Sequence, residues 1–259
     1  VELESKKRSS GTLRLDDDDL MKNPISKDSD SPATHVRSET PLLYFGTPVV
    51  LISTVNEDGS YNLAPMSSAF WLGWRAILGL DVTSKTTANM IRTGECVLNL
   101  PSDSGVAAVD RLARLTGSHP VPSMKVTRGY THERGKFEIA GLTPDASETV
   151  SPPRARECPV QLEAVITAQR DLAEEDDVIR GAVQIFEVRI QRVHLDRSIL
   201  MNDNPNRIDP DKWRPLIMSF QKFYGLTSEQ VHGSKLGEIA EETYRSPDTD
   251  RARGCGAKI

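Results

Sequence analysis

Thr83, Ser84, Lys85, Thr86 and Thr87 place four hydroxyls and one ammonium in five consecutive positions. Side chains of these types bind anions: each hydroxyl can donate one hydrogen bond, and the ammonium adds charge and three donors. An amphipathic segment follows, closed by Gly94 and the apolar run ECVLNL. Three uses fit such a cluster. A triphosphate loop reads G-x-x-x-x-G-K-[ST]. Gly79, Ser84, Lys85 and Thr86 meet that pattern except that serine replaces the second glycine, whose bare backbone wraps the phosphate. Gly79 also lies inside the apolar run AILGLDV, and ECVLNL ends without an aspartate for magnesium, so this use is set aside. A helix cap, with Thr83 or Ser84 satisfying free amides, holds in any case. It leaves Lys85 unexplained, because a cation in the first turn opposes the helix dipole. A bound anion reverses that sign. The cluster therefore suits a monophosphate held by Lys85, hydroxyls and amides.

No other constellation competes for chemistry. Cys96, Cys158 and Cys255 are odd in number and far apart, with neither metal spacing nor a disulfide framework. Cys96 and Cys158 sit in apolar stretches, as small buried hydrophobes do. No Cys-His or Ser-His-Asp pattern stands out, so no catalytic side chain is assigned. His194 and His232 lack a ligand context. A net charge of -5 and a pI of about 5.6 speak against a nucleic-acid surface. The sequence has no apolar run of 18 residues and no signal-peptide pattern, which leads us to expect a cytoplasmic protein with no membrane partner.

The elements that must position the cluster read as follows. Residues 1–40, with the acidic run LDDDDL, lack the apolar surface to fold alone and form a flexible polar arm. Residues 41–226 form the folded domain, and 227–259 a polar tail with one helical piece near SKLGEIAEETY. PVVLISTV and YNLAPMSSAF flank NEDGS as a hairpin with Asp58-Gly59 at its tip. AILGLDV is a buried-type strand. Ser84 to Thr93 is a short helix stopped by Gly94, and ECVLNL the strand after it. SGVAAVDRLARLTG reads as a helix ending at Gly117, and KFEIAGLTP as a short helix stopped by Gly141 and Pro144. PVQLEAVITAQRDL alternates Val160, Leu162, Ala164 and Ile166 on one face. AVQIFEVRIQRVHL alternates too, with a phase change at Phe186. Strands at this spacing indicate a closed or nearly closed antiparallel barrel.

YNLAPMSSAF, TSKTTANMIRTGECVLNLP, KFEIAGLTP and ECPVQLEA occur in that order, and together they resemble the flavin reductase-like, FMN-binding split-barrel family, from about Pro48 to Gly225. The resemblance implies a mainly β fold, a six-stranded antiparallel Greek-key split barrel with short helices. It also implies a homodimer with FMN near the interface. Pro65, Met66, Ser67 and Ser68 inherit the place along the flavin ring. Thr83, Ser84, Lys85 and Thr86 inherit the phosphate, supported by Asn89, and Asn99 falls near the ribityl chain or ring. Trp71 and Trp74 stand where family members carry a Pro-Pro pair and are read as packing residues. Gly135 replaces a common acidic residue. The resemblance ends in DKWRPLIMSFQKFYGL, and Arg214, Tyr224 and His232 are the candidates for touching substrate or nicotinamide.

The leading expectation is an FMN-dependent oxidoreductase taking hydride from NAD(P)H and serving oxygen, free flavin, another small-molecule acceptor or a partner oxygenase. The rivals are an FMN-binding electron carrier without NAD(P)H turnover, a related barrel enzyme for one small organic molecule, and a split-barrel protein that binds haem or a partner instead.

Overall fold

The computed structural model describes residues 34–256. The chain divides into Val1–Pro41 and Leu42–Ile259. Residues 34–41 carry no regular element, and the rest of the expected arm lies outside the described residues.

Seven strands of the second unit form one antiparallel sheet. They are β1 (Val50–Val55), β2 (Tyr61–Met66), β3 (Ala69–Leu72), β4 (Arg75–Asp81), β5 (Glu95–Leu100), β6 (Val160–Asp171) and β7 (Val183–Leu195). Their order is β2-β1-β5-β6-β7-β4-β3. The two edge strands, β2 and β3, are consecutive in the chain and joined only by Ser67 and Ser68. Three peptide steps span at most about 11 Å, so the two edges of the sheet must converge there. The sheet is thus rolled like a barrel but not closed by a strand pair among the described residues. The expected count was six strands in a Greek key; the seventh here is the four-residue edge β3.

The inside of the roll holds one apolar cluster, with Val50, Ile52, Leu78, Leu98, Leu162, Phe186 and Val188 at its centre. Trp71 and Trp74 pack against this cluster, as read from the sequence. A second cluster lies on the other face of β1 and β2, where Leu51 and Leu63 meet Val109, Leu112, Phe137 and Ala140. Burial on both faces explains why β1, VLISTV, shows no apolar–polar alternation. On β7 the inward set runs Phe186, Val188, Ile190 and then Val193. Its phase shifts again at Gln191, where the β6–β7 register skips a residue as a β-bulge does.

Helix α1 (Lys85–Thr93) starts one residue after the predicted Ser84, which is its N-cap, and ends as predicted before Gly94, the C-cap at φ 70. Glycine is favoured there because the left-handed region costs it nothing. Helix α2 covers only Val106–Arg111, after a 3-10 turn at Asp103–Gly105. It does not reach Gly117: Leu115–Thr116 leaves the helix to pair with Thr131–His132. After the one-turn α3 (Ser123–Val126), helix α4 (Lys136–Ala140) ends at Gly141 as expected. In the tail, SKLGEIAEETY forms two 3-10 turns, and the regular helix is α5 (Pro247–Gly254). Asp248 of α5 is buried and binds Arg75 of β4 at 2.8 Å. None of the helices among the described residues is long and apolar enough to cross a membrane.

Candidate functional site

The hydroxyl cluster forms a tight turn between β4 and α1. Asp81 Oδ1 accepts from the Thr83 amide at 2.8 Å and from its hydroxyl at 2.5 Å. Ser84 Oγ accepts from the Thr87 amide at 3.0 Å, and the Thr87 hydroxyl donates to the Asp81 carbonyl. The first turn of α1 contains no acidic residue. Lys85 reaches across to the hairpin tip, where its Nζ pairs with Glu57 Oε2. That hydrogen bond holds the Glu57 carboxyl below its usual range. Lys85 therefore already serves one anionic oxygen, supplied by a carboxylate that is itself mostly exposed.

Behind this turn lies a buried polar network that the sequence reading missed. Thr86 is 3% exposed, and its Oγ1 accepts from Asn62 Nδ2 at 3.0 Å. Asn62 also donates to Thr54 and accepts from Lys136 Nζ at 3.0 Å. The lysine fixes the orientation of this amide: an ammonium has no lone pair, so only the amide oxygen can face it. Lys136 is 3% exposed, and burial, with Lys125 nearby, pulls its pKa down to about 8 against the opposing pull of Glu133. Gly117 packs into the same spot, where a Cβ would stand 2.7 Å from Asn62 Oδ1 and 3.0 Å from Lys85 Cγ. The signal for Lys136 was present in the sequence. Like Lys85, it opens a short helix, where its charge opposes the dipole.

The two asparagines of the expected site are also buried. Asn89 donates to Thr54 Oγ1 at 3.0 Å and to Asn56 Oδ1 at 2.8 Å, tying α1 to the hairpin. Asn99 donates to the Leu51 carbonyl at 3.0 Å and accepts from the Ala155 amide at 2.7 Å, so both ends of its amide bind backbone.

Pro65 and Met66 end β2, opposite Leu51 and Val50. Ser67 and the exposed Ser68 bridge to β3, and the Ser68 carbonyl accepts from the Gly79 amide at 2.9 Å. Because β2 is an edge strand, the outer row of its backbone groups has no strand partner among the described residues. The Trp71 indole Nε1, three residues beyond Ser68, is buried without an acceptor among the described residues. Tyr224 comes to the same end of the sheet through a chain of pairings: Pro48 with Ile217, and Ile217 with Tyr224. Arg214 Nη1 donates to the Trp213 and Pro210 carbonyls, and His232 is exposed in the irregular segment beyond Leu226.

These features fit the phosphate and polar ring of a flavin nucleotide. The first turn of α1 brings together a lysine, the dipole's positive end and the Thr86 hydroxyl, whose own hydrogen is uncommitted, while the Thr83 and Thr87 hydroxyls donate to Asp81. The β2 edge and the unpaired indole offer donors to a polar ring. A cavity of about 1150 Å³ lies elsewhere, between β7 and the C-terminal segment, lined by Arg154, Arg192, Arg207 and Arg245. None of the residues expected to hold flavin lines it. Behind the lining residue His194, Glu163 is fully buried and outside the cavity itself. Burial by itself would raise its pKa. The His194 ring, the Thr149 hydroxyl and amide and the Glu148 amide overcome that and bring it to about 2. These bonds are 2.6 to 2.9 Å long.

Comparison with known proteins identifies the fold and the family. The chain is 39% identical over 188 residues to the uncharacterized protein YdfE of Bacillus subtilis, covering 73% of this chain and 87% of that one. The fold is similar to that of flavoredoxin of Desulfovibrio vulgaris, with a TM-score of 0.61 at 21% identity over 78% of this chain and 100% of that one. It is also similar to nitrilotriacetate monooxygenase component B from Bacillus cereus, with a TM-score of 0.58 at 22% identity over 73% and 88% of the two chains. Residues 42–227 match the flavin reductase like domain, and on that match the chain belongs to the flavin reductase-like family of flavin-related oxidoreductases.

Proposed function

We propose that the protein is an FMN-dependent oxidoreductase that accepts hydride from NAD(P)H and delivers electrons to a small-molecule acceptor or a partner oxygenase. The observation that carries this reading is the first turn of α1. It has no acidic residue, a lysine whose charge opposes the dipole, and a hydroxyl held in place from behind. In this reading Thr83 to Thr86 hold the phosphate, and Asn89 and Asn99 act from behind by fixing α1 and the strands. Pro65 to Ser68 and the Trp71 indole hold the ring. Bound FMN supplies the hydride and electron chemistry; the chain binds and orients it. Tyr224, at the same end of the sheet, is the first candidate for contact with nicotinamide or acceptor, ahead of Arg214 and His232.

The oxygenase partner is suggested by the likeness to nitrilotriacetate monooxygenase component B, a component of a monooxygenase by its name. We also propose a homodimer with the flavin near its interface, built on the exposed outward side chains Phe70 and Leu72 of the edge strand β3. Sedimentation at several dilutions, with flavin fluorescence followed in parallel, tests it; a monomer that keeps full FMN occupancy refutes it.

The absorbance spectrum of the purified protein, before and after anaerobic addition of NADH or NADPH, tests the main reading. A flavin spectrum bleached within the mixing time by either nucleotide is expected. A flavin spectrum that neither nucleotide changes selects the electron-carrier reading, which the likeness to flavoredoxin favours. A haem spectrum, or FAD as the extracted cofactor, refutes the proposal.

A further inference from the structure

Lys136 is an uncompensated charge in the interior. It is 3% exposed, and its one side-chain hydrogen-bond partner among the described residues is the neutral amide oxygen of Asn62 at 3.0 Å. None of the carboxylates among the described residues pairs with it. Buried cations are ordinarily matched by an anion, because desolvation is costly. Lys136 also stands one amide away from Thr86: the same Asn62 that accepts its hydrogen bond donates to the Thr86 hydroxyl. Gly117 keeps this junction closed around Asn62 and Lys85, where even a methyl would collide.

Resting on the phosphate reading of Thr83 to Thr86, we propose that Lys136 is the buried counter-charge of that site, and that binding a phosphorylated flavin is coupled to proton uptake by its amine. Its missing anion is the phosphate, which acts through the Asn62–Thr86 link and through the field in a low-dielectric interior. Lys136 is thus a positioning residue. It locks the Asn62 amide so that the Thr86 hydroxyl can only accept from it, leaving the hydroxyl's own hydrogen for another acceptor.

The direction of the coupling follows. Without ligand the amine loses its proton near pH 8. A dianion nearby raises that value, so affinity for the phosphorylated ligand is full below about pH 8 and falls as pH rises through the ligand-bound value. Other charged groups surround Lys136. Lys125 of α3 lowers its pKa, and Glu133, just before α4, raises it. Lys85 of α1 is matched by Glu57, and Arg111 of α2 donates to the last carbonyls of α4. The facing strand β2 contributes no charged side chain.

Calorimetric titration of the full chain with FMN and with riboflavin, in two buffers of different ionisation enthalpy from pH 7.5 to 9.5, tests this. The phosphate monoester, with a second pKa of about 6, is already a dianion throughout that range. FMN is expected to take up a fraction of a proton near pH 8 and to lose up to about tenfold in affinity per pH unit above it. Riboflavin shows neither effect. Lys136→Met abolishes the uptake, Lys136→Arg keeps FMN affinity but flattens its pH dependence, and Lys125→Met leaves the uptake in place. Binding of FMN by the native chain without proton uptake, or uptake unchanged in Lys136→Met, overturns the inference while leaving the phosphate reading intact. Failure of the native chain to bind FMN overturns both.

Discussion

Lys85→Ala tests the phosphate site, and the structure changes the size of the effect expected. A hydrogen bond from an ammonium to a charged oxygen contributes about 1.5–3 kcal/mol. In the free protein, however, Lys85 is already engaged by Glu57, whose side chain is 60% exposed. Such a surface pair is worth about 0–1 kcal/mol and must be given up when phosphate arrives. The net loss for Lys85→Ala is therefore about 0.5–3 kcal/mol, or about 2- to 150-fold in the FMN dissociation constant. The same reasoning gives Glu57→Gln the opposite sign: FMN tightens by up to about 1 kcal/mol, roughly fivefold, because the competitor is gone. Riboflavin, which lacks the phosphate, changes little in either variant. Fluorescence-quenching titrations with both ligands measure all four constants, and raising the salt concentration should shrink both effects. Equal losses for FMN and riboflavin in Lys85→Ala, or weaker FMN binding in Glu57→Gln, would refute this reasoning.

Glu163 is a second test point, independent of ligand. With a folded-state pKa of about 2 against a reference of 4.5, its carboxylate contributes about 3 kcal/mol of stability above pH 4.5, lost as pH falls toward 2. Thermal melts from pH 2.5 to 7 should show a lower melting temperature for Glu163→Gln at pH 7 and a shallower acid slope; parallel profiles would contradict the assignment. Gly117→Ala should destabilise by about 1–3 kcal/mol, because the new methyl meets an amide that Lys136 holds in place. An unchanged melting temperature would show that Asn62 can yield. Deletion of residues 1–40 is expected to leave both FMN affinity and melting temperature unchanged, and a large drop in either would show that the arm packs on the domain.

What could be read along the chain was what a few neighbouring residues decide among themselves. The Ser84 cap and the Gly94 stop of α1 lie within the helix's own span, and so do the alternating faces of β6. The wrong sign of Lys85 in its helix was legible for the same reason. The misses share an opposite character. The stretch after Arg111 could have continued α2 on local preference, but Leu115–Thr116 found a strand partner at Thr131–His132, and tertiary pairing outweighed propensity. The tail helix α5 has Ser246 and Pro247 as local start signals, yet the burial of its Asp248 depends on Arg75, 173 positions away. The site divides in the same way. The sequence by itself determined that hydroxyls and a lysine gather at a helix start. Only the rolling of the sheet decided that Glu57 answers Lys85 and that Asn62 stands between Thr86 and Lys136. Those meetings join the turn after β1, β2, α1 and α4 across up to 74 positions, and no local pattern encodes a contact whose partners are brought together by strand order and burial.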